Sequence, residues 1–212
     1  MKGVLRAALV VAVVAAGFMV AASPVHAISF DLTSDHCTGG CLGGVANAGT
    51  VTLTQNGTTV DITVDLATGF SWAKTGAADF EAFKFNATGV VLGDITVNQT
   101  FSGQTLAAQT GTLNGDGTGD FSFGIACTTC ANGASNITAD IVFHVANATI
   151  ADLTAGNNLG NVFVADVLGP TGNTGPVDAS TPTTSVPEPA TLTLLGIGLV
   201  GLGFAARRRA RA

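Results

Sequence analysis

The four cysteines of this 212-residue sequence fall into two closely spaced pairs, Cys37/Cys41 and Cys127/Cys130. Two such pairs outline a four-cysteine zinc site, to which His36 could add a ligand. Oxidising compartments instead favour disulfides, and an even cysteine count suits them. Because the N-terminus predicts export, we expect disulfides rather than zinc binding or reactive thiols. Four cysteines allow three pairings, and the small-residue turns between them favour local bridges over cross-pairing.

A second candidate for chemistry is the stretch from Asn114 to Asp120, NGDGTGD, which places oxygen-bearing side chains at every second residue. Carboxylate and carbonyl oxygens are the ligands that calcium takes in proteins. Asp116 and Asp120 would supply two of them. The stretch lacks the closing glutamate of a calcium loop and any following helix pattern. It therefore favours a Gly-rich hairpin turn, with calcium binding as the alternative and no other cofactor expected.

The remaining titratable residues suggest no catalytic group. His36 and His144 are isolated in sequence and lie in no recognised nucleophile motif. Asp61 and Asp65 share the polar face of a predicted strand, a position that needs no catalytic role. Glycoside hydrolysis requires two facing carboxylates, and no motif here indicates such a pair. We therefore expect a protein that is not an enzyme.

The elements that would position these residues are almost all β-strands. Thr58 to Leu66 alternates apolar and polar residues, Thr50 to Gln55 does the same, and Asn56-Gly57 between them is a hairpin signal. The pattern predicts one antiparallel β-sandwich or jelly roll over residues 28–168, with a signal helix before it and a transmembrane helix after it. Further strands are predicted over 80–86, 90–97, 105–113, 121–127, 137–147 and 161–168, with a turn at 114–119 and a single helical turn within 77–83.

The charge balance of the central region excludes one class of partner. Six of the eight basic residues lie in the two end segments, so residues 28–185 keep only Lys74 and Lys84. The same region carries thirteen of the fourteen acidic residues. Nucleic-acid binding depends on lysine and arginine neutralising phosphates. We therefore expect no nucleic-acid partner.

The first 27 residues have the organisation of a secretory signal peptide. Lys2 and Arg6 give a basic start, and an apolar run follows as far as Ala22. Val25 and Ala27 are the small residues at the −3 and −1 positions of a cleavage site. We predict signal cleavage after Ala27, so residues 1–27 are left out of the fold.

The C-terminal end has three ordered features after a segment, 169–185, rich in Gly, Pro, Thr and Ser that we interpret as a flexible linker. An uncharged run over 190–206 is long enough to reach the short limit of a bilayer span, about 17 residues. The proline-flanked motif before it is Val186-Pro187-Glu188-Pro189, and the basic stop after it is Arg207, Arg208 and Arg209.

This series of motif, apolar span and basic cluster resembles the PEP-CTERM sorting signal, and the resemblance is confined to residues 186–212. It implies transient anchoring in the inner membrane of a Gram-negative bacterium. It also implies recognition by an exosortase-type membrane protease, which releases or transfers the protein to the cell exterior. Proteins that carry this signal are associated with exopolysaccharide and the biofilm matrix.

We therefore expect a secreted, non-enzymatic surface or extracellular-matrix protein. Its expected partners are the exosortase-type protease, exopolysaccharide and, transiently, the inner membrane. The alternative is a carbohydrate-binding module, assisted by calcium, with Trp72 and the pair Asp116/Asp120 as its binding residues. The expected location of the protein, under either function, is the cell surface or the extracellular matrix.

Overall fold

The computed structural model describes residues 26–74, 81–98, 101–182 and 184–186. Within these ranges the chain is nearly all strand, with a 3₁₀ turn at Leu92–Asp94 and one short helix, α1 (Ile150–Leu153). The strands are β1 (Ala27–Asp31), β2 (Ser34–Asp35), β3 (Gly49–Asn56), β4 (Thr59–Leu66), β5 (Ser71–Lys74), β6 (Glu81–Phe85), β7 (Ile95–Val97), β8 (Leu106–Asn114), β9 (Asp120–Cys127), β10 (Gly133–Ala134), β11 (Ile141–Ala146), β12 (Phe163–Leu168), β13 (Thr174–Ala179) and β14 (Thr184–Val186).

The strands form two antiparallel sheets. The first sheet has the order β14-β1-β3-β4-β11-β7. The second has the order β10-β5-β12-β6-β9-β8, with β13 on the other edge of β12 and β2 beyond β13. Buried residues of both sheets form one hydrophobic cluster. The arrangement confirms the predicted all-β sandwich.

Phenylalanine side chains join the two sheets at the centre of the core. The ring of Phe30 from the first sheet meets that of Phe163 from the second at 5.0 Å, edge to face. Phe83 stacks against Phe163 at 5.7 Å and lies 6.0 Å from Phe143. Offset and edge-to-face aromatic pairs each stabilise by about 0.5–1.5 kcal/mol beyond the area they bury. The core therefore depends on aromatic contacts between sheets as well as on apolar area.

The β3–β4 hairpin confirms the clearest sequence pattern. Val51 and Leu53 are fully buried, as are Val60, Ile62 and Val64 opposite them. The two-residue loop is Gly57-Thr58, because Asn56 and Thr59 on either side of it form the last residue pair of the hairpin. Gly57 has φ +61° while the residue after it does not have a positive φ. A positive φ at the first loop position is the type II′ form.

Several strand boundaries differ from the prediction. The segment 90–97 is a strand only from Ile95, because the 3₁₀ turn comes first. The segment 137–147 is a strand only over Ile141–Ala146. Of the predicted helical turn at 77–83, residues 77–80 lie outside the described residues, and the rest belongs to β6. Strands β1, β2, β5, β10 and β14 were not predicted at all.

The interpretation of residues 169–185 as a linker is wrong for Thr174–Ala179, which forms β13, and for Thr184 and Ser185, which belong to β14. Strand β13 pairs with β12 along its whole length, and Val177 is fully buried. Pro176 fits because its carbonyl oxygen accepts a hydrogen bond from His36 N–H, on the side away from β12. The N–H and C=O of a strand residue point the same way. The missing proline N–H is therefore not one that β12 needs.

Candidate functional site

Both cysteine pairs form the local disulfides that we expected. Cys37–Cys41 spans 5.6 Å between Cα atoms, and Cys127–Cys130 spans 5.4 Å. No cysteine is left free. Cys37 and Cys41 are buried, and the loop between them rests on the β12–β13 connection, where Thr171 Oγ1 donates to Gly40 O at 2.7 Å.

Asp35 organises the first disulfide loop, a role that the sequence did not indicate. Its carboxylate accepts backbone hydrogen bonds from Cys37 N–H at 3.0 Å, Cys41 N–H at 2.8 Å and Leu42 N–H at 2.9 Å. Desolvation raises the pKa of Asp35. The three backbone donors and the nearby His36 together outweigh it, so the net pKa is lowered from 3.8. The carboxylate closes the loop by supplying acceptors for amides that would otherwise lack them.

Replacing Asp35 with alanine is expected to lower the free energy of unfolding by about 2–3 kcal/mol at neutral pH, because three donors lose a charged acceptor. The folded-state pKa is lowered, so the carboxylate stabilises fully above its ordinary value of 3.8 and progressively less as the pH falls through the folded-state pKa. Urea unfolding at about pH 7 and about pH 3 measures the difference. The difference in free energy of unfolding between variant and wild type should be smaller at the lower pH. An equal difference at both pH values would contradict this role.

Asp178 comes together with Ser34 and His36 although it lies far from them in sequence. His36 Nε2 lies 3.0 Å from Ser34 Oγ and 2.8 Å from Asp178 Oδ2. A catalytic histidine uses one ring nitrogen for the nucleophile and the other for the carboxylate; here one nitrogen makes both contacts. Desolvation raises the pKa of the buried Asp178, and His36 and Ser34 offset part of that rise. We interpret the cluster as a buried carboxylate held by a partly exposed histidine.

His144 is a cross-strand partner rather than an isolated residue. Its Nδ1 lies 2.7 Å from Asp61 Oδ1 on the neighbouring strand, and both side chains are partly exposed. The pair lies on the polar face of the first sheet, as the alternating pattern of β4 predicts.

Trp72 does not present a surface to a ligand, so its assignment as a carbohydrate-binding residue is wrong. Its side chain is 2 % exposed, and its indole N–H donates to Ala139 O at 2.8 Å. The adjoining cavity, lined also by Phe101, Cys127 and Cys130, has a volume near 10 Å³. That is room for about one water molecule. A sugar ring therefore cannot stack on this tryptophan in the folded domain.

The NGDGTGD stretch is the hairpin turn between β8 and β9, as predicted. Its interior is fully hydrogen bonded: Thr118 is buried, and its carbonyl oxygen accepts from Asn157 at 2.7 Å and from Asn161 at 2.9 Å. Asp116 and Asp120 are exposed on the turn. Calcium binding by these two carboxylates, the basis of the alternative function, stays a prediction.

Besides Asp178, three charged side chains are buried in the second sheet, which the sequence did not predict. Lys84 Nζ lies 3.2 Å from Asp166 Oδ2, and each side chain is 1 % exposed. The same ammonium donates to Glu81 O at 3.2 Å. Glu81 is itself 4 % exposed, and its Oε2 has no hydrogen-bond partner among the described residues. The sequence signal that could have indicated this buried cluster is a lysine inside an apolar strand.

The two ends of the domain lie side by side in the first sheet. Strand β14 pairs antiparallel with β1, so Val186 is opposite Ala27 and Thr184 is opposite Ser29. Ala27 is the predicted signal-cleavage residue, and Val186 is the first residue of the proline-flanked motif. The chain therefore enters and leaves the domain at the same corner of one sheet, and both proposed processing points lie there.

Residues 185–209 match the model of the PEP-CTERM protein-sorting motif. The chain carries a PEP-CTERM sorting motif. The match covers every predicted motif residue from Val186 to Arg209. The motif implies export, transient membrane anchoring and processing by an exosortase membrane enzyme. No curated protein and no solved structure gives a significant match to the chain.

The structure leaves most of the predicted processing segments undescribed. The signal peptide through residue 25, the motif from Pro187 onward, the apolar run 190–206 and Arg207, Arg208 and Arg209 all lie outside the described residues. Within the described ranges, no helix is long and apolar enough to cross a membrane. The placement of these segments therefore rests on sequence, and within them only His26, Ala27 and Val186 have described backbone positions.

Proposed function

We propose that the domain is a non-enzymatic protein of the bacterial surface or extracellular matrix, sorted through its PEP-CTERM motif and associated with exopolysaccharide in a biofilm. The observation that carries the proposal is the match at residues 185–209, which begins within β14, the last paired strand of the described sandwich. The motif concerns transport to the outside, and the disulfides suit an oxidising compartment. The activity of the delivered domain is the part that needs testing.

The outer face of the first sheet supports a polysaccharide partner. Thr52 lies between Ser29 and Thr63 in one cross-strand row, and Asp31, Thr50 and Asp65 form the next row. Hydroxyl and carboxylate groups arranged over several paired strands can hydrogen bond repeatedly with a hydroxyl-rich polymer. Because Trp72 is buried, such binding would depend on many polar contacts rather than on stacking against that ring.

Replacing Glu188 with alanine is expected to abolish C-terminal processing and leave the full-length protein in the membrane fraction. The physical reason is that the protease must recognise the short charged motif between Pro187 and Pro189. The measurement compares wild type, Glu188→Ala and the exposed-site control Ser180→Ala by immunoblot of membrane, surface and medium fractions, in a bacterium that carries an exosortase-type enzyme. Equal release of all three proteins would contradict the sorting proposal.

The same fractions test the partner and the activity separately. Released wild-type protein is expected to sediment with isolated extracellular polysaccharide and to leave a panel of glycans uncleaved. Recovery in the polysaccharide-free medium alone would remove the exopolysaccharide partner while leaving sorting intact. Turnover of any glycan would overturn the non-enzymatic assignment.

A further inference from the structure

The sorting motif begins inside the folded sheet. Val186 is both the last residue of β14 and the first residue of the motif, and the family match already begins at residue 185. Three residue pairs join β14 to β1. A protease that acts on an extended segment needs access to its backbone. Part of the segment that must be engaged has its backbone held by β1.

The chain after β14 is too short to separate the domain from the membrane. Only three residues, Pro187 to Pro189, lie between Val186 and the apolar run that begins at Ala190. At about 3.3–3.6 Å per extended residue they span roughly 10 Å. While β14 stays paired, the chain therefore leaves at most roughly 10 Å between the end of β14 and the apolar run.

Releasing β14 would lengthen this tether. The preceding strand β13 ends at Ala179, so release of β14 frees the seven residues from 180 to 186. These add roughly 23–25 Å of reach. The pairing is also short: it has three pairs at the edge of the first sheet, as many as β7 makes with β11. Ala27↔Val186 is removed when the signal peptide is cleaved after Ala27, which leaves two pairs.

We propose that β14 is a releasable strand, and that its separation from β1 precedes cleavage at the PEP-CTERM motif. Processing then proceeds at a rate set by the fraction of molecules in which β14 is free. The folded sandwich thereby limits access of the exosortase-type enzyme to its own substrate segment. This inference rests on the proposed sorting function and adds a conformational step to it.

A disulfide across β1 and β14 tests the step directly. Ser29 and Thr184 lie opposite each other, and directly opposed strand residues are close enough for a bridge. The full-length variant Ser29→Cys/Thr184→Cys, with its bridge confirmed by mass spectrometry, is expected to lose processing and to regain it when the bridge is reduced. The matched control is Thr52→Cys/Thr63→Cys, a bridge between β3 and β4 in the same cross-strand row. The control should be processed like wild type.

A spacer tests whether the bridge blocks processing by shortening the chain between the domain and the apolar run, rather than by some other effect. Inserting six Gly/Ser residues and a second valine between Val186 and Pro187 of the locked variant, so that a valine still precedes Pro187, should restore processing while the bridge stays intact. Processing of the locked variant at the wild-type rate would overturn the proposal, as would failure of the spacer to restore it. If wild type itself were released no faster than Glu188→Ala, the sorting function would be at fault, not the strand.

Discussion

Lys84→Met is expected to lower the free energy of unfolding by about 3–5 kcal/mol, the loss typical when one partner of a buried ion pair is removed. The ammonium lies 3.2 Å from Asp166 Oδ2 with both side chains 1 % exposed. Methionine fills a similar volume but leaves the carboxylate of Asp166 without this cation in a water-poor site. The melting temperature should fall by about 6–20 °C, at 2–4 °C per kcal/mol for a domain of this size.

The other lysine of the domain is the control. Lys74 is partly exposed, and its Nζ donates to Cys130 O at 3.3 Å. Lys74→Met should cost less than about 1 kcal/mol, as partly exposed polar contacts do. The double variant Lys84→Met/Asp166→Leu should recover part of the lost stability, because it removes both charges. Equal effects of Lys84→Met and Lys74→Met in urea unfolding would show that the buried pair is not a special contributor.

Val177→Asp is the second change with a large expected effect. Val177 is fully buried on β13 and pairs with Ala165 of β12. The substitution loses about 1.5–3 kcal/mol of apolar burial and places a carboxylate in the core without a partner, which adds several kcal/mol more. We expect the variant to fail to accumulate as a protease-resistant exported protein.

Ser180→Asp provides the matched control for this substitution. The same new residue stands three positions later, in the same Gly-, Pro- and Thr-rich segment, at an exposed site. It should change the free energy of unfolding by less than about 0.5 kcal/mol. If residues 169–185 were a flexible linker, the two variants would behave alike in limited proteolysis and urea unfolding.

The sequence predicted best where a single pattern was long and local. The alternation from Thr59 to Leu66 indicated a half-buried strand, and the structure places its apolar residues at the core. The close cysteine spacing favoured the bridges that the structure shows, because a short loop can close by itself. The sorting motif was likewise readable as an ordered series of residue types, which needs no tertiary contact to be recognised.

The sequence failed where burial came from residues far away along the chain. The composition of β13 favours a loop, yet full-length pairing with β12 makes it a core strand. Trp72 is buried by elements near Phe101 and Ala139, which are distant in sequence. The local sequence around Trp72 therefore did not reveal its burial, and it was interpreted as a ligand-binding residue. Likewise, nothing local joins Lys84 to Asp166, which lie 82 positions apart.

The sequence by itself predicted an export signal and an all-β domain, and it carries the PEP-CTERM motif. These are local patterns of residue type, which is why they needed no structure. Only the tertiary structure decided that β14 pairs with β1, so that the two processing points, 159 residues apart in the chain by the numbering of Ala27 and Val186, meet at one corner. Which distant strands pair is a long-range choice that no single local pattern of side chains specifies.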